Sequence, residues 1–421
     1  MSGGNGGPSA GNGGSSASTG GSTGNGNGSG GGGPSAGGAS ASGGAPGAGG
    51  APGSGGAPGL GGASGSGGAG GSGGAAGSGG RLDAGADGTM VRVDAAAGSG
   101  GARVDASPGT GGASGADAAS NNTAGPIGWA STNDLGQNGT TGGADAAPMV
   151  VTTLAALQSA ASGTAARVIR ISGSISGTVA VGSNKTIIGE AGAVFTGSLS
   201  LENSVNVIVQ NLTVVGLNCT DFADCESGAD AVTVNTAHHI WIDHCNISNG
   251  SDGNLDVTDR SDYVTISWNK FSYSNNTRIH RYSNIVGGSD TATADAGHLR
   301  LTFYNNWWAD NVDQRQPRVR FGQVHVFNNL YTSTAASYCL GLGVEANVLM
   351  ENNVFIGVRN PINSTEFSNA ASVVVSRGNL YTNTSGTTAD KGTAVFTPPY
   401  AYSAVPASAV EAAVRAGAGP H

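Results

Sequence analysis

The sequence predicts an all-β fold, a parallel β-solenoid, and three observations predict it. An asparagine recurs at a near-constant interval from about residue 165 to the C-terminal region. Each one follows a run of three to five residues rich in β-branched and aromatic side chains. No sustained 3.6-residue periodicity intervenes, so the repeated unit is a strand rather than a helix.

The copies can be read in order. Val207-Ile208-Val209-Gln210-Asn211-Leu212 comes first, then Ile240-Trp241-Ile242-Asp243-His244-Cys245-Asn246 and Val264-Thr265-Ile266-Ser267-Trp268-Asn269. Leu301-Thr302-Phe303-Tyr304-Asn305-Asn306, Val324-His325-Val326-Phe327-Asn328-Asn329 and Val348-Leu349-Met350-Glu351-Asn352-Asn353 follow, and Arg377-Gly378-Asn379 closes the series. Aligning Asn211, Asn246, Asn269, Asn306, Asn329, Asn353 and Asn379 gives separations of 35, 23, 37, 23, 24 and 26. A base period of that length is a solenoid coil. Asparagine tolerates the left-handed backbone of a bend, and stacked amides can bond from coil to coil. The separations of 35 and 37 exceed the base by ~12 residues, which a coil accommodates only as an outward loop. These loops fall near 213–239 and 272–300, and loops of this kind form binding surfaces.

The ends fit the same plan. Thr153–Ala161 is rich in alanine and leucine and is expected to be a helix capping the first coil. Pro406 suits a first helical position, and Val410 and Val414 share one face of a short C-terminal helix.

Residues 1–125 are of a different kind. Glycine, serine, alanine, proline and asparagine dominate, with almost nothing to bury, so this stretch reads as a disordered linker ahead of one domain at 126–421. Of 18 basic and 27 acidic residues, Arg81, Arg92, Arg103 and five aspartates lie in the linker. The domain keeps 15 and 22, an acidic balance that gives no footprint for nucleic acid. No run of ~20 apolar residues is present to span a membrane. Met1-Ser2-Gly3-Gly4 shows neither the basic nor the apolar part of a signal peptide, so export is not read from a visible signal. Cys219 and Cys225 are close enough for a local disulfide, which this spacing leaves open. Cys245 and Cys339 sit in strand-like runs and are expected to be buried thiols.

Three groups of residues carry chemistry. Asp230 opens one strand, and Asp252 and Asp256 precede the strand of the next coil. Coils stack ~4.8 Å apart, so the three can converge, and carboxylates without a neutralising lysine suit a hard cation such as Ca²⁺. The alternative is three solvated loop aspartates. Arg315-Gln316-Pro317-Arg318-Val319-Arg320 places Arg318 and Arg320 on one face of a strand, where they can grip a carboxylate or form a plain basic turn. Arg278-Ile279-His280-Arg281 adds a second basic cluster, and the two basic clusters together suggest a positive rim beside the acidic site. Asp243-His244 resembles a catalytic dyad but equally fits a structural histidine, and no nucleophile motif accompanies it.

At these residues the chain resembles polysaccharide lyase family 1, the pectate and pectin lyases. The likeness lies in Trp241-Ile242-Asp243-His244-Cys245, Asp252-Gly253-Asn254-Leu255-Asp256, Ser261-Asp262-Tyr263-Val264-Thr265-Ile266-Ser267-Trp268, the Arg315, Pro317, Arg320 element, and Val324-His325-Val326-Phe327-Asn328-Asn329. It extends more weakly from Gly128 to about Gly419. It implies a right-handed, single-stranded parallel β-helix. It also implies a secreted, monomeric enzyme that cleaves polygalacturonate by Ca²⁺-assisted β-elimination to 4,5-unsaturated products. By the same resemblance Asp230, Asp252 and Asp256 bind Ca²⁺, which neutralises the uronate. Arg315 is the base and Arg320 holds the substrate carboxylate, with Arg318, Arg281 and His280 as further substrate contacts. A neutral guanidine is required of the base, against an ordinary arginine pKa above ~12, which predicts an alkaline optimum. Two departures stand out. Gly228 occupies the place of a further acidic ligand found in some members, and no lysine stands where many carry one, so Arg281 or His280 is expected to substitute. The competing readings are a metal-independent pectin lyase on methylated pectin, a hydrolase working with paired carboxylates, and a non-catalytic polysaccharide-binding surface protein.

Overall fold

The computed structural model describes residues 125–421 apart from Ser227, Asn276, Thr277, Glu366 and 368–370. The segment read as a linker lies, except for Gly125, outside the described residues. Beyond it the chain winds as a parallel β-helix in three columns of strands. The first column runs from Pro148–Val151 through His238–Asp243, Asp262–Ser267, Arg300–Tyr304 and Gln323–Phe327 to Val373–Arg377. The second runs from Thr213–Val215 through Asn246–Ser248 and Lys270–Ser272 to Leu380–Thr382. The third runs from Val232–Asn235 through Leu255–Thr258, Ile285–Val286 and Arg318–Val319 to Ile362–Asn363. The second and third diverge from the long strand Val194–Ser200.

Alternation along each strand sends every second side chain inward, and the register stacks like on like. Val207, Ile240, Val264, Leu301, Val324, Val348 and Val374 form one buried file. Phe271, Trp308, Tyr331, Phe355 and Tyr381 form another, with successive ring centroids 5.6, 4.6, 4.2 and 5.2 Å apart. This continuous apolar interior is what the short strands share, since no single coil has a core of its own.

The asparagine corner is built from two columns rather than one. The amide ladder proper is Asn269, Asn306, Asn329, Asn353 and Asn379: from Asn306 on, each Oδ1 accepts both the backbone N–H and the Nδ2 of the asparagine before it, and Asn269 Oδ1 accepts from Cys245 N. The left-handed bend is one residue earlier, at Asn211, His244, Trp268, Asn305, Asn328, Asn352 and Gly378, all with positive φ. The strand register pairs Thr213 with Asn246 and Asn246 with Lys270, so Leu212 and Cys245 take the first two ladder places. Asn211 and Asn246, aligned with the ladder in the sequence, are therefore neighbours of it.

The N-terminal end of the solenoid is covered. Helix α1, Leu154–Ala161, is N-capped by Thr153 and buries Leu157, Ala160 and Ala161 against the first coil. A short helix, α2, spans Phe222–Glu226. Helix α3 spans Ala407–Gly417, with Pro406 at its N-cap position and Val410 and Val414 packed on Leu330 and Val354. The outer side of the first column is also occupied. Trp129 N and Ala130 N donate to Thr302 and Thr265, Tyr400 OH meets Thr302 Oγ1 and His325 Nδ1, and Tyr402 OH donates to Glu351. The two long loops emerge instead beside the third column. Among the described residues no helix is long and apolar enough to cross a membrane.

Candidate active site

The first loop, between Thr213–Val215 and Val232–Asn235, is closed by a disulfide from Cys219 to Cys225. Cys245 and Cys339 are free and buried, and burial pushes the Cys245 thiol up to about 12. The second insertion leaves Lys270–Ser272, touches the third column at Ile285–Val286, and leaves again before Arg300.

Register explains how the aspartates meet. Thr233 lies opposite Asp256, Ser251 N donates to Ala229 O, and Ala231 N donates to Gly253 O. These bonds place the loop carrying Asp230 directly beside Asp252-Gly253. One carboxylate oxygen from each of Asp230, Asp252 and Asp256 lies within 4.8 Å of the others. Asp230 and Asp256 are buried, at 8% and 5% exposure, while the Asp252 side chain keeps 32%. Asp230 Oδ2 accepts from Thr233 Oγ1, and Asp256 Oδ1 accepts from Ile285 N. Asp230 Oδ1 is buried with no hydrogen-bond partner. Gly253 keeps the cradle open: a Cβ there would lie 2.7 Å from Asp256 Oδ1 and 3.0 Å from Asp230 Oδ1.

Burial dominates the electrostatics, and like charge adds to it. Burial, then the charges of Asp256 and Asp252, hold the Asp230 carboxyl well above its ordinary range. Burial also raises Asp256, to about 7, against the pull of Arg315 and the Ile285 N–H. Buried carboxylates with raised proton affinity and an unpartnered oxygen fit a divalent cation, which supplies the missing countercharge. Gly228 is explained by packing, because a Cβ there would lie 2.5 Å from Ser251 Cβ.

Ile285 lies opposite Arg318, so Arg318 continues the Asp256 row two rungs on. Asn284 N donates to Arg315 O at 2.7 Å, and Arg315 has a φ of 61°. Its guanidinium lies 4.6 Å from the Tyr282 ring centroid, and its charge acts on both Asp230 and Asp256. Arg320 is buried, with Nε on Asp290 Oδ1 at 2.5 Å and one terminal nitrogen on Gly287 O at 2.7 Å. Arg318 lies over Phe367 at 4.1 Å, and burial and the Arg320 charge lower its pKa. Gly341 and Gly343 on the next rung clear space for both: a Cβ there would lie 3.2 Å from Arg318 Cγ and 2.7 Å from Arg320 Cγ.

The second basic cluster, Arg278-Ile279-His280-Arg281, divides. His280 is buried, with Nε2 3.8 Å from Asp252 Oδ1; burial and Arg315 lower its pKa to about 4, so it adds no positive charge at neutral pH. Arg281, the next residue along, turns to Asn311 O at 3.0 Å and Asp313 at 3.7 Å. Arg278 is held by Asn218, Leu217 O and Asn249 O. Asp243-His244 belongs to the first column, where Asp243 also accepts from Ser267 and Gln210, and His244 stacks on Trp268. Sequence reasoning did not single out Tyr282, Asp290 or Gly253. The Gly341-Leu342-Gly343 run was the visible sign of crowding beside the arginines.

The fold is thus a parallel β-helix, and it sets an acidic cradle beside an arginine row. Residues 92–421 match the family model described as pectate lyase, beginning within the segment read as a linker. Pectate lyase E of Dickeya chrysanthemi is 34% identical over 355 residues, covering 69% of this chain and 88% of that protein. Pectate lyase A of Aspergillus niger is 36% identical over 308 residues, covering 70% and 87%. Among solved structures, a thermostable pectate lyase superimposes with a TM-score of 0.58 at 26% identity, covering 70% of this chain and 96% of that one. A pectate lyase from Bacillus sp. N165 in complex with trigalacturonate gives 0.57 at 25%, covering 70% and 99%. The chain belongs to the pectate lyase family, and it is a polysaccharide lyase.

Proposed function

We propose that the protein cleaves α-1,4-linked polygalacturonate by β-elimination, with Asp230, Asp252 and Asp256 holding Ca²⁺ and Arg315 acting as the base. The observation that carries this reading is the meeting of three carboxylates, one with an orphaned buried oxygen, within the field of Arg315. When bound, Ca²⁺ would offset the charge of the uronate carboxylate and so acidify the neighbouring C–H. Arg315 takes the C5 proton, the C5 electron pair becomes the C4–C5 double bond, and the C4–O bond breaks. The departing chain leaves with the oxygen, which is protonated from solvent. Arg320 stabilises the charge that develops on the carboxylate. Arg318 extends the row for the next acidic unit, and a base that must be neutral makes turnover rise into the alkaline range. The Cys219–Cys225 disulfide supports action outside the cell, where such bonds persist.

Ultraviolet absorbance of unsaturated product tests the reading. Polygalacturonate with Ca²⁺ is expected to give absorbance that a chelator abolishes. Chelator-resistant absorbance from methylated pectin alone would indicate metal-independent elimination on the methyl-esterified polymer. New reducing ends without absorbance would indicate hydrolysis.

A further inference from the structure

We propose that Tyr282 is a positioning residue that fixes the plane of the Arg315 guanidinium; this rests on the reading of Arg315 as the base. Tyr282 bridges in parallel to Gln314, so its rung is immediately beside that of Arg315. The ring centroid is 4.6 Å from the guanidinium carbon. A guanidinium is planar and weakly hydrated and stacks readily on an aromatic face. An arginine side chain otherwise has several rotatable bonds to restrain, and a base displaced by an ångström loses much of its rate.

The ring is itself held. Its centroid is 3.8 Å from that of His280, and His280 meets Phe222 edge-on at 5.4 Å. Phe222 belongs to α2, within the loop closed by Cys219–Cys225. Tyr282 O accepts from Tyr273 OH at 2.7 Å. A stack of Phe222, His280, Tyr282 and Arg315 therefore connects the first loop to the base and passes within 3.8 Å of Asp252. Tyr282 is half-buried and is not part of the interior core. Alternation explains the arrangement: His280 and Tyr282 face this stack, and Arg281 between them turns to Asn311.

Steady-state kinetics on polygalacturonate at saturating Ca²⁺ test the assignment, with circular dichroism and thermal melting as fold controls. Tyr282→Leu is expected to lower kcat by ~10–100-fold with KM within about twofold, and Tyr282→Phe, which keeps the ring, to hold kcat within about threefold. Loss of kcat in Tyr282→Phe comparable to that in Tyr282→Leu would overturn the proposal, because the hydroxyl would then be the active part. So would a Tyr282→Leu enzyme with unchanged kcat, or one changed only in KM, which would mark a substrate contact. If Tyr282→Leu does not fold, Tyr282→Gln takes its place with the same expectations. Arg315→Ala, measured alongside, separates the two claims. Activity retained in Arg315→Ala removes the base itself, whereas an inactive Arg315→Ala beside a fully active Tyr282→Leu removes only the positioning role.

Discussion

Two sets of polar side chains, a file of amides and a cluster of carboxylates, bridge neighbouring coils of this molecule, and they behave in opposite ways. At the corner after the first column, Asn269, Asn306, Asn329, Asn353 and Asn379 stack amide on amide. Beside the third column Asp230, Asp252 and Asp256 bring carboxylate to carboxylate. An amide both donates and accepts, so each asparagine satisfies the next, and the spare N–H reaches a backbone carbonyl such as Phe303 O. An ionised carboxylate only accepts, so stacking adds repulsion and leaves Asp230 Oδ1 without a donor. The first file is satisfied within the protein except at its last member, where Asn379 Nδ2 is buried without a partner. The second leaves Asp230 Oδ1 unpartnered; in the proposed reading a cation completes it, with Arg315 and the arginine row beside it.

The comparison is sharpened by changing one member on each side. Arg315→Ala removes the proposed base and leaves the interior untouched. Its turnover is expected to fall by ~10³-fold, read from the initial rate of ultraviolet absorbance, while its melting temperature stays close to that of the wild type. Asn329→Ala does the reverse. It strips the acceptor from Asn306 and the donor from Phe303 O, and is expected to cost about 2 kcal/mol, or roughly 4–8 °C in Tm. The rate per folded molecule should change little. A large loss of rate at unchanged Tm in Asn329→Ala would break the division between a structural and a functional file.

Much of this division was legible in the sequence, because the amide file repeats with the coil and the carboxylates fall in two adjacent coils. The period exposed the solenoid, and the two oversize coils exposed the face that carries Asp230, Asp252 and Asp256. The ladder's first places were misaligned by one residue, since Asn211 and Asn246 flank positions filled by Leu212 and Cys245. An asparagine signals either a left-handed bend or an amide bond, and only register tells which. What the sequence concealed lies where the chain leaves the period. Within the second insertion, alternation separates His280 and Tyr282 from Arg281, yet nothing local shows which side faces the aspartates. The hold of Asp290 on Arg320 depends on a loop meeting a strand 30 residues away. The covering of the first column by Tyr400 and Tyr402 comes from a segment with no regular pattern.

The central claim is that the carboxylate file is incomplete without a cation, and thermal melting in chelator and in Ca²⁺ tests it most directly. A carboxyl whose folded-state pKa is raised holds its proton more tightly folded than unfolded. Its contribution to stability is therefore present below the unfolded value of ~4 and lost as pH rises through the folded value, about 7 for Asp256. At pH 8 in chelator the wild type carries this repulsion in full. Replacing Asp256 with asparagine removes a buried charge, so Asp256→Asn is expected to melt at or above the wild-type temperature in chelator. Ca²⁺ is expected to raise the Tm of the wild type by several degrees, more at pH 8 than at pH 5, and to leave Asp256→Asn nearly unchanged. A variant that melts well below the wild type in chelator, or that gains as much from Ca²⁺ as the wild type does, would contradict the account.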